Sequence, residues 1–411
     1  MKNKNLMPLT LVFCLFFLWA ISSNLLPTMI RQLMKTCELN PFQASFTESA
    51  YWLAYFICPI PIAMILKRWG YKTGIVMGLL FAAFGCLLFL PGTAIRKYWF
   101  YLTIFFIIAT GMCFLETAAN PYVTVLGNPS TASKRLTLAQ SFNSLGAFIS
   151  AMFLSKLILS GHQYTRATLP ASYPGGWDGL LRDEACAMRP PYITLAVVLI
   201  VMALVFICCR LPKIKEHGGK LINIAVLKRS HLRWGVIAQF FYNGGQTAIN
   251  SLFLVYCCIY VGIDESRATT LFGFYMLAFL LGRWSGSWLL GKFAPHKLLT
   301  FYATMCMLLS LVVIIFGGWT GLYAMIGISF FMSIIYPTQF SLALSDLGDD
   351  TKSGSAFLVM SIIGNACLPQ LSAFVMNAHP AHYHFAYFIP MVCFGFCVLY
   401  GLKKYKVVRP N

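Results

Sequence analysis

The sequence predicts an all-α polytopic membrane protein, with twelve transmembrane helices in two six-helix halves. Three observations predict it. The 411 residues are 59% hydrophobic and only 10% charged, whereas a soluble domain is about a quarter charged. Mean hydropathy is +0.72, and apolar runs of about 20 residues, long enough to cross a bilayer as helix, recur along the whole chain. The 31 Lys and Arg outnumber the 12 Asp and Glu, giving a net charge of +19, yet these cations gather at the ends of the apolar runs. That placement suits anionic headgroups and argues against nucleic acid as a partner.

Taken in order, the first run, 7–30, follows Lys2 and Lys4 as a signal peptide would, but it is too long and eleven more follow. Spans 2 and 3, 44–66 and 73–95, are parted by a turn holding Lys67, Arg68 and Lys72. Spans 4 and 5, 99–126 and 136–160, flank Lys134 and Arg135. Gly161 to Pro190 is rich in Gly and Pro and reads as irregular structure outside the bilayer. Pro190-Pro191 then open span 6, 191–212, where a proline removes no helical hydrogen bond. Spans 7 to 12 follow at 234–261, 269–290, 297–319, 321–347, 353–377 and 383–402. A membrane-spanning strand needs only about ten residues of alternating polarity, so continuous runs of twice that length exclude a barrel.

With an even number of spans both termini share one side. Placing them in the cytoplasm gives that side roughly 21 cations against about eight opposite, which fixes the orientation and the expected location, the cell inner membrane. The basic loop 213–231 separates an N-terminal bundle, 1–212, from a C-terminal bundle, 232–411. The two align as a parallel repeat offset by about 220 residues, Asn120-Pro121 against Tyr336-Pro337 and Gly146 against Gly364. Such repeats rock about a central site.

Fourteen cysteines lie mostly inside apolar runs without a CxxC pair, and there they act as small hydrophobes. His379, His382 and His384 crowd the start of span 12 with no acid or Cys beside them, so no metal is expected. No phosphate-binding loop, H-E-x-x-H or G-x-S-x-G occurs, so neither an enzyme nor a nucleotide-driven pump is indicated, and no cofactor is expected.

Ten of the twelve acids sit in loops or at helix ends. Glu116 lies within span 4, about 17 residues or some 25 Å of helix from its outer end. A carboxylate there costs several kcal/mol unless protonated, paired or wetted, which marks it as a proton-coupling candidate. Glu48 stands about one turn inside span 2, near the outer mouth, and is the second candidate. Gln239, Tyr242, Asn243, Gln246 and Asn250 form one polar stripe on span 7, and Gly244-Gly245 within it should loosen the helix. Asn24, Asn120, Gln140, Asn143, Tyr336, Gln339 and Asn365 add polar groups from spans 1, 4, 5, 10 and 11. Amides both donate and accept, which suits the hydroxyls of a neutral polyol. Trp19, Phe142, Tyr242 and Phe274 are candidates to stack on a sugar's C–H face, with core packing or lipid contact as the plain alternative. Arg283 is too deep for a loop cation. It is expected to hold backbone carbonyls at the inner gate or to pair with Asp346, Asp349 or Asp350.

Several of these strings resemble the fucose/galactose/glucose:proton symporter family of the major facilitator superfamily: Phe16-Phe-Leu-Trp-Ala20, Pro59-Ile-Pro61, Leu115-Glu-Thr-Ala-Ala-Asn-Pro-Tyr-Val-Thr-Val-Leu-Gly127, Leu138-Ala-Gln-Ser-Phe-Asn-Ser144, Phe293-Ala-Pro-His-Lys297 and Ser333-Ile-Ile-Tyr-Pro-Thr338. The resemblance runs nearly end to end. It implies a twelve-helix major facilitator fold and import of a neutral monosaccharide, L-fucose or a related hexose, by proton symport. It also implies a coupling role for Glu116 and cavity amides at Asn24, Gln140 and Asn143. One departure stands out: the family's span-1 aspartate aligns with Pro27, and no acid occurs between Trp19 and Arg31. Coupling would then recruit another group, such as Glu48, or be altered. Pro27 is also expected to kink span 1. The expected partners are thus a neutral monosaccharide, protons and the lipid bilayer, with the chain monomeric. A proton-independent facilitator of the same fold, and a non-transporting membrane sugar sensor, remain the other readings.

Overall fold

The computed structural model describes residues 6–24, 26–39, 41–150, 173–212, 221–378 and 383–407, apart from a few side chains within these ranges. Every predicted span is built mainly of helix where it is described, and no strand occurs among the described residues. Eight helical stretches are each long and apolar enough to cross a bilayer. The others have local causes. Spans 1 and 2 are each built of shorter helices, Leu6–Asn24 with Leu26–Thr36, and Pro41–Ile57 followed by the helix that starts at Pro59. Span 5 is described only over Ala132–Ile149, and span 8, Glu265–Leu289, carries polar and charged residues.

The joints follow from the residues that occupy them. Pro59–Leu87 carries the chain from span 2 into span 3, with the turn reduced to Gly70 at φ 82°, ψ 170°, a region open essentially to glycine alone. Span 4, Tyr98–Val125, ends against Arg135, which donates to the carbonyls of Val123 (3.2 Å), Thr124 (2.8 Å) and Asn128 (2.7 Å). A cation there offsets the negative end of the helix and fills its orphan acceptors. Span 6, Arg189–Cys208, has proline in its first turn as expected. Pro27 likewise falls in the first turn of Leu26–Thr36. Spans 10 and 11 are interrupted near mid-depth, between Gly318–Met332 and Ile335–Ala343 and at the 3₁₀ turn Ser361–Ile363. Irregular backbone at that depth is tolerated where it is covered by protein or lines a cavity.

Matching glycines pack matching spans. A Cβ on Gly146 would stand 2.4 Å from the Phe17 carbonyl oxygen, and one on Gly364 would stand 2.2 Å from that of Phe240. Spans 5 and 1 therefore touch as spans 11 and 7 do, which is the equivalence the sequence repeat predicts. Gly244 and Gly245 do not loosen span 7, because Ser230–Val255 is one continuous helix. They admit Leu368 and Cys393 instead: an added Cβ would lie 2.4 Å from the Leu368 side chain and 2.8 Å from that of Cys393.

The segment read as irregular before span 6 is in part a helix. Gly176–Ala187 buries Leu180, Leu181 and Ala185 against Leu26–Thr36 and its surroundings. Gln32 Nε2 donates to the Glu184 carbonyl at 3.0 Å and also to its carboxylate, while Arg96 pairs with Asp178 at 2.9 Å. The leucine pair, with Ala185 one turn on, supplies the apolar stripe that the flanking Gly and Pro obscured.

Candidate functional site

Between the two sets of six spans lies a cavity of about 260 Å³, just below the usual range of small-molecule pockets, about 300–1,000 Å³. Of the residues expected to serve it, Glu116, Gln140, Asn143, Gln246, Asn250, Tyr336 and Asn365 line its wall. Asn120, Gln239 and Tyr242 stand behind the wall. Asn24 ends the first helix, but its side chain lies outside those described. Glu48 sits apart, in an adjoining crevice of about 50 Å³ between spans 2, 7 and 11, which shares Trp52, Thr247 and Asn365 with the central cavity.

Glu116 is 5% exposed, and both of its described hydrogen bonds fall on Oε1. Tyr336 Oη donates from the other half at 2.5 Å, and Asn120 Nδ2 donates from one turn along span 4 at 3.2 Å. Gln140 Nε2 in turn donates to Asn120 Oδ1 at 3.1 Å. The residues behind the wall hold these groups in place. Gln239 Nε2 donates to the Tyr336 carbonyl at 3.0 Å, and Tyr242 Oη to the Met332 carbonyl at 2.9 Å, fixing the broken part of span 10. The span-7 stripe therefore divides. Its inner turn braces span 10, and its outer turns, with Asn243, Gln246 and Asn250, face the cavity.

Arg283 also reaches this cavity. Its guanidinium donates to the Ser333 carbonyl (3.0 Å), the Gln140 carbonyl (2.6 Å), Gln140 Oε1 (3.3 Å) and Ser144 Oγ (2.8 Å), and it lies 4.5 Å from the centre of the Phe279 ring. The backbone-carbonyl alternative is the observed one. Its hydrogen-bond partners do not include Asp346, Asp349 or Asp350.

Of the four aromatic candidates only Trp19 lines the cavity. Tyr242 is fully buried behind it, Phe142 is 37% exposed and stacks on Phe13, and Phe274 is 56% exposed. Tyr51, Trp52 and Tyr55 on span 2 and Tyr275 and Phe279 on span 8 also line the cavity without having been expected there, and Arg283, expected deep in span 8 at the inner gate, stands in the cavity wall as well. Spacings of one and four residues among Tyr51, Trp52 and Tyr55 were the available signal, since positions four apart share a helix face. Of the three histidines, His379 and His382 lie outside the described residues. His384 packs edge-on against Tyr260 and Phe385.

Towards the end where the loop joining the halves lies, the two halves are bridged by hydrogen bonds. On that side Ser133 Oγ meets Ser341 Oγ at 2.5 Å, Ser287 Oγ donates to the Lys134 carbonyl (3.3 Å) and Ser355 Oγ to that of Thr117 (3.2 Å). Asn223, in the loop joining the halves, donates to both Asp350 oxygens at 3.0 and 3.1 Å. Towards the opposite end the halves face each other across the Glu48 crevice.

The comparisons agree with this architecture. The sequence model of the Major Facilitator Superfamily matches residues 9–369. The L-fucose-proton symporter of Escherichia coli (strain K12) is 38% identical over 97% of this chain and 93% of its own. A glucose/galactose transporter of Brucella abortus biovar 1 (strain 9-941) is 34% identical over 96% and 93%. A major facilitator transporter, FucP, crystallised in the outward conformation, superposes with a TM-score of 0.89 at 38% identity, over 96% of this chain and 98% of that one. With a matching family model over most of its length, relatives above 30% identity end to end and the twelve-span helical fold around a central cavity, the chain belongs to the Major Facilitator Superfamily.

Proposed function

We propose that this protein imports a neutral monosaccharide, L-fucose or a related hexose, together with protons, by alternating access about the central cavity. It works in the inner membrane with both termini in the cytoplasm, and the sealed side is then the cytoplasmic one. The observation that carries the proposal is the position of Glu116, a carboxylate in the cavity wall held by one donor from each half. A proton on this group changes bonds on both sides of the interface that must move. The sugar ligands are Gln140, Asn143, Gln246, Asn250, Tyr336 and Asn365, with Asn24 from span 1. Asn120, Gln239 and Tyr242 hold those ligands in register. Trp19 and the span-2 aromatics offer flat apolar faces to a pyranose ring. The relatives' names, spanning L-fucose, glucose and galactose, agree with a site built from amides and aromatic faces.

In the cycle, Glu116 is protonated from the outer side, sugar binds, the halves rock, and the proton leaves inward. Glu48 lies on the outer approach, where it serves proton entry. The test uses proteoliposomes loaded with a panel of labelled hexoses. Glu116→Gln is expected to abolish proton-driven accumulation and to retain counterflow; full accumulation by this variant would remove Glu116 from the mechanism. A downhill facilitator is the second reading, favoured by the absence of any acid between Trp19 and Arg31. Proton uptake on adding sugar distinguishes the two.

A further inference from the structure

The bonds around Glu116 and Arg283 form one directed chain. Arg283 donates to Gln140 Oε1, Gln140 donates to Asn120 Oδ1, and Asn120 donates to Glu116 Oε1. Each donor points towards the acid, so the chain ends on an acceptor, the role an ionised carboxylate fills. At the other end the guanidinium joins span 8 to span 5 and to the broken stretch of span 10. Arg283 is 5% exposed, and its four bonded acceptors are all neutral.

Resting on the reading of Glu116 above, we infer that Arg283 is the positioning residue that reads the protonation of Glu116 and converts it into release of the inner seal. With Glu116 ionised, the cluster holds one cation and one anion linked through two amides. Once Glu116 takes a proton, the guanidinium is the only charge left there. A buried cation without a counter-charge is strongly unfavourable, so the latch between spans 5 and 8 weakens and the guanidinium is drawn towards the water of the opening pathway. Sugar without a proton leaves the latch shut, and that prevents downhill slip. The missing span-1 acid then needs no replacement, because a cation, rather than a second carboxylate, responds to the first.

Other titratable groups close to Glu116 are Tyr51 and Tyr55 on span 2, Cys113 on span 4 and Tyr336 on span 10; those near Arg283 are Tyr242 and Tyr336. Phenols and thiols are neutral near pH 7. The pair that can respond to physiological pH is therefore Glu116 with Arg283.

The experiment compares wild type, Arg283→Gln, Arg283→Lys, Glu116→Gln and the double Gln variant in proteoliposomes, using the hexose that gives the largest counterflow. Arg283→Gln is expected to lose at least about tenfold in proton-driven accumulation, a larger loss than in counterflow, and its counterflow should lose the pH dependence of wild type. The double variant should be no worse than either single one, as expected for residues in one chain. Wild-type accumulation by Arg283→Gln, or an unchanged pH profile, overturns the inference. So does loss of counterflow at every pH in a stably folded variant, which would make Arg283 a sugar ligand. If Arg283→Gln does not assemble, Arg283→Lys decides, because a point ammonium cannot hold the same fork of acceptors. It should show a flattened profile, and wild-type behaviour would again overturn the latch. Glu116→Gln that accumulates normally defeats the underlying reading; Glu116→Gln uncoupled beside a coupled Arg283→Gln defeats only the latch.

Discussion

Glu116 keeps its orientation because two donors converge on one oxygen, and the shorter bond comes from Tyr336, 220 positions away in the sequence. A hydrogen bond to a charged group contributes about 1.5–3 kcal/mol. Tyr336→Phe should therefore lower proton-driven uptake roughly 10- to 100-fold, and by more than it lowers counterflow, measured side by side in proteoliposomes; an unchanged uptake rate would separate Tyr336 from coupling. At this scale the sequence was informative where depth alone decides. Glu116 could be placed by counting residues from the end of its span. Arg283 could be recognised as too deep for a loop, but its acceptors lie 50 to 143 positions away in sequence, and no local pattern announces them. Phe142 and Phe274 face outwards for a related reason. Spans 5 and 8 scatter polar residues around the helix rather than along one face, which leaves little azimuthal signal, so the direction of a given aromatic cannot be read from its spacing.

The elements themselves were legible through length. Twelve runs were long enough to cross, and helix makes up most of each where it is described. Their interruptions were not legible except where proline marks them, because the break at Ser361–Ile363 follows from packing around a cavity rather than from residue type. The docked helix Gly176–Ala187 was lost behind its glycines. The glycine crossings offer a direct test. Gly364→Ala would bring a methyl within 2.2 Å of the Phe240 carbonyl oxygen, and a backbone atom inside a continuous helix cannot yield cheaply. Overpacking of this kind costs about 1–3 kcal/mol, so the variant should show a lower melting temperature in detergent. Gly395→Ala, whose methyl meets only the Met307 sulfur at 4.0 Å, should melt as wild type does. Equal melting of the two would mean that the spans 7 and 11 crossing is looser than the geometry requires.

Across the whole molecule the two ends of the cavity differ in kind. The bridged side is held between the halves by serine hydroxyls and a carbonyl-bound guanidinium. A neutral hydrogen bond contributes about 0.5–1.5 kcal/mol net and one to a charged group about 1.5–3 kcal/mol, so a handful can close the side without locking it permanently. Alternating access requires these contacts to part in every cycle. Ser133 Oγ and Ser341 Oγ, 2.5 Å apart, allow the requirement to be tested, since sulfur atoms in their place would fall close to the bonding distance of about 2.05 Å. The double variant Ser133→Cys, Ser341→Cys should lose sugar counterflow on mild oxidation and regain it with reductant, whereas each single variant should be indifferent to oxidant. Sugar added from the open side should still quench the fluorescence of the oxidised protein, because Trp19 and Trp52 line the cavity above the closure. If the oxidised double variant exchanged sugar at the reduced rate, these serines would not part during transport, and the moving interface would have to lie elsewhere.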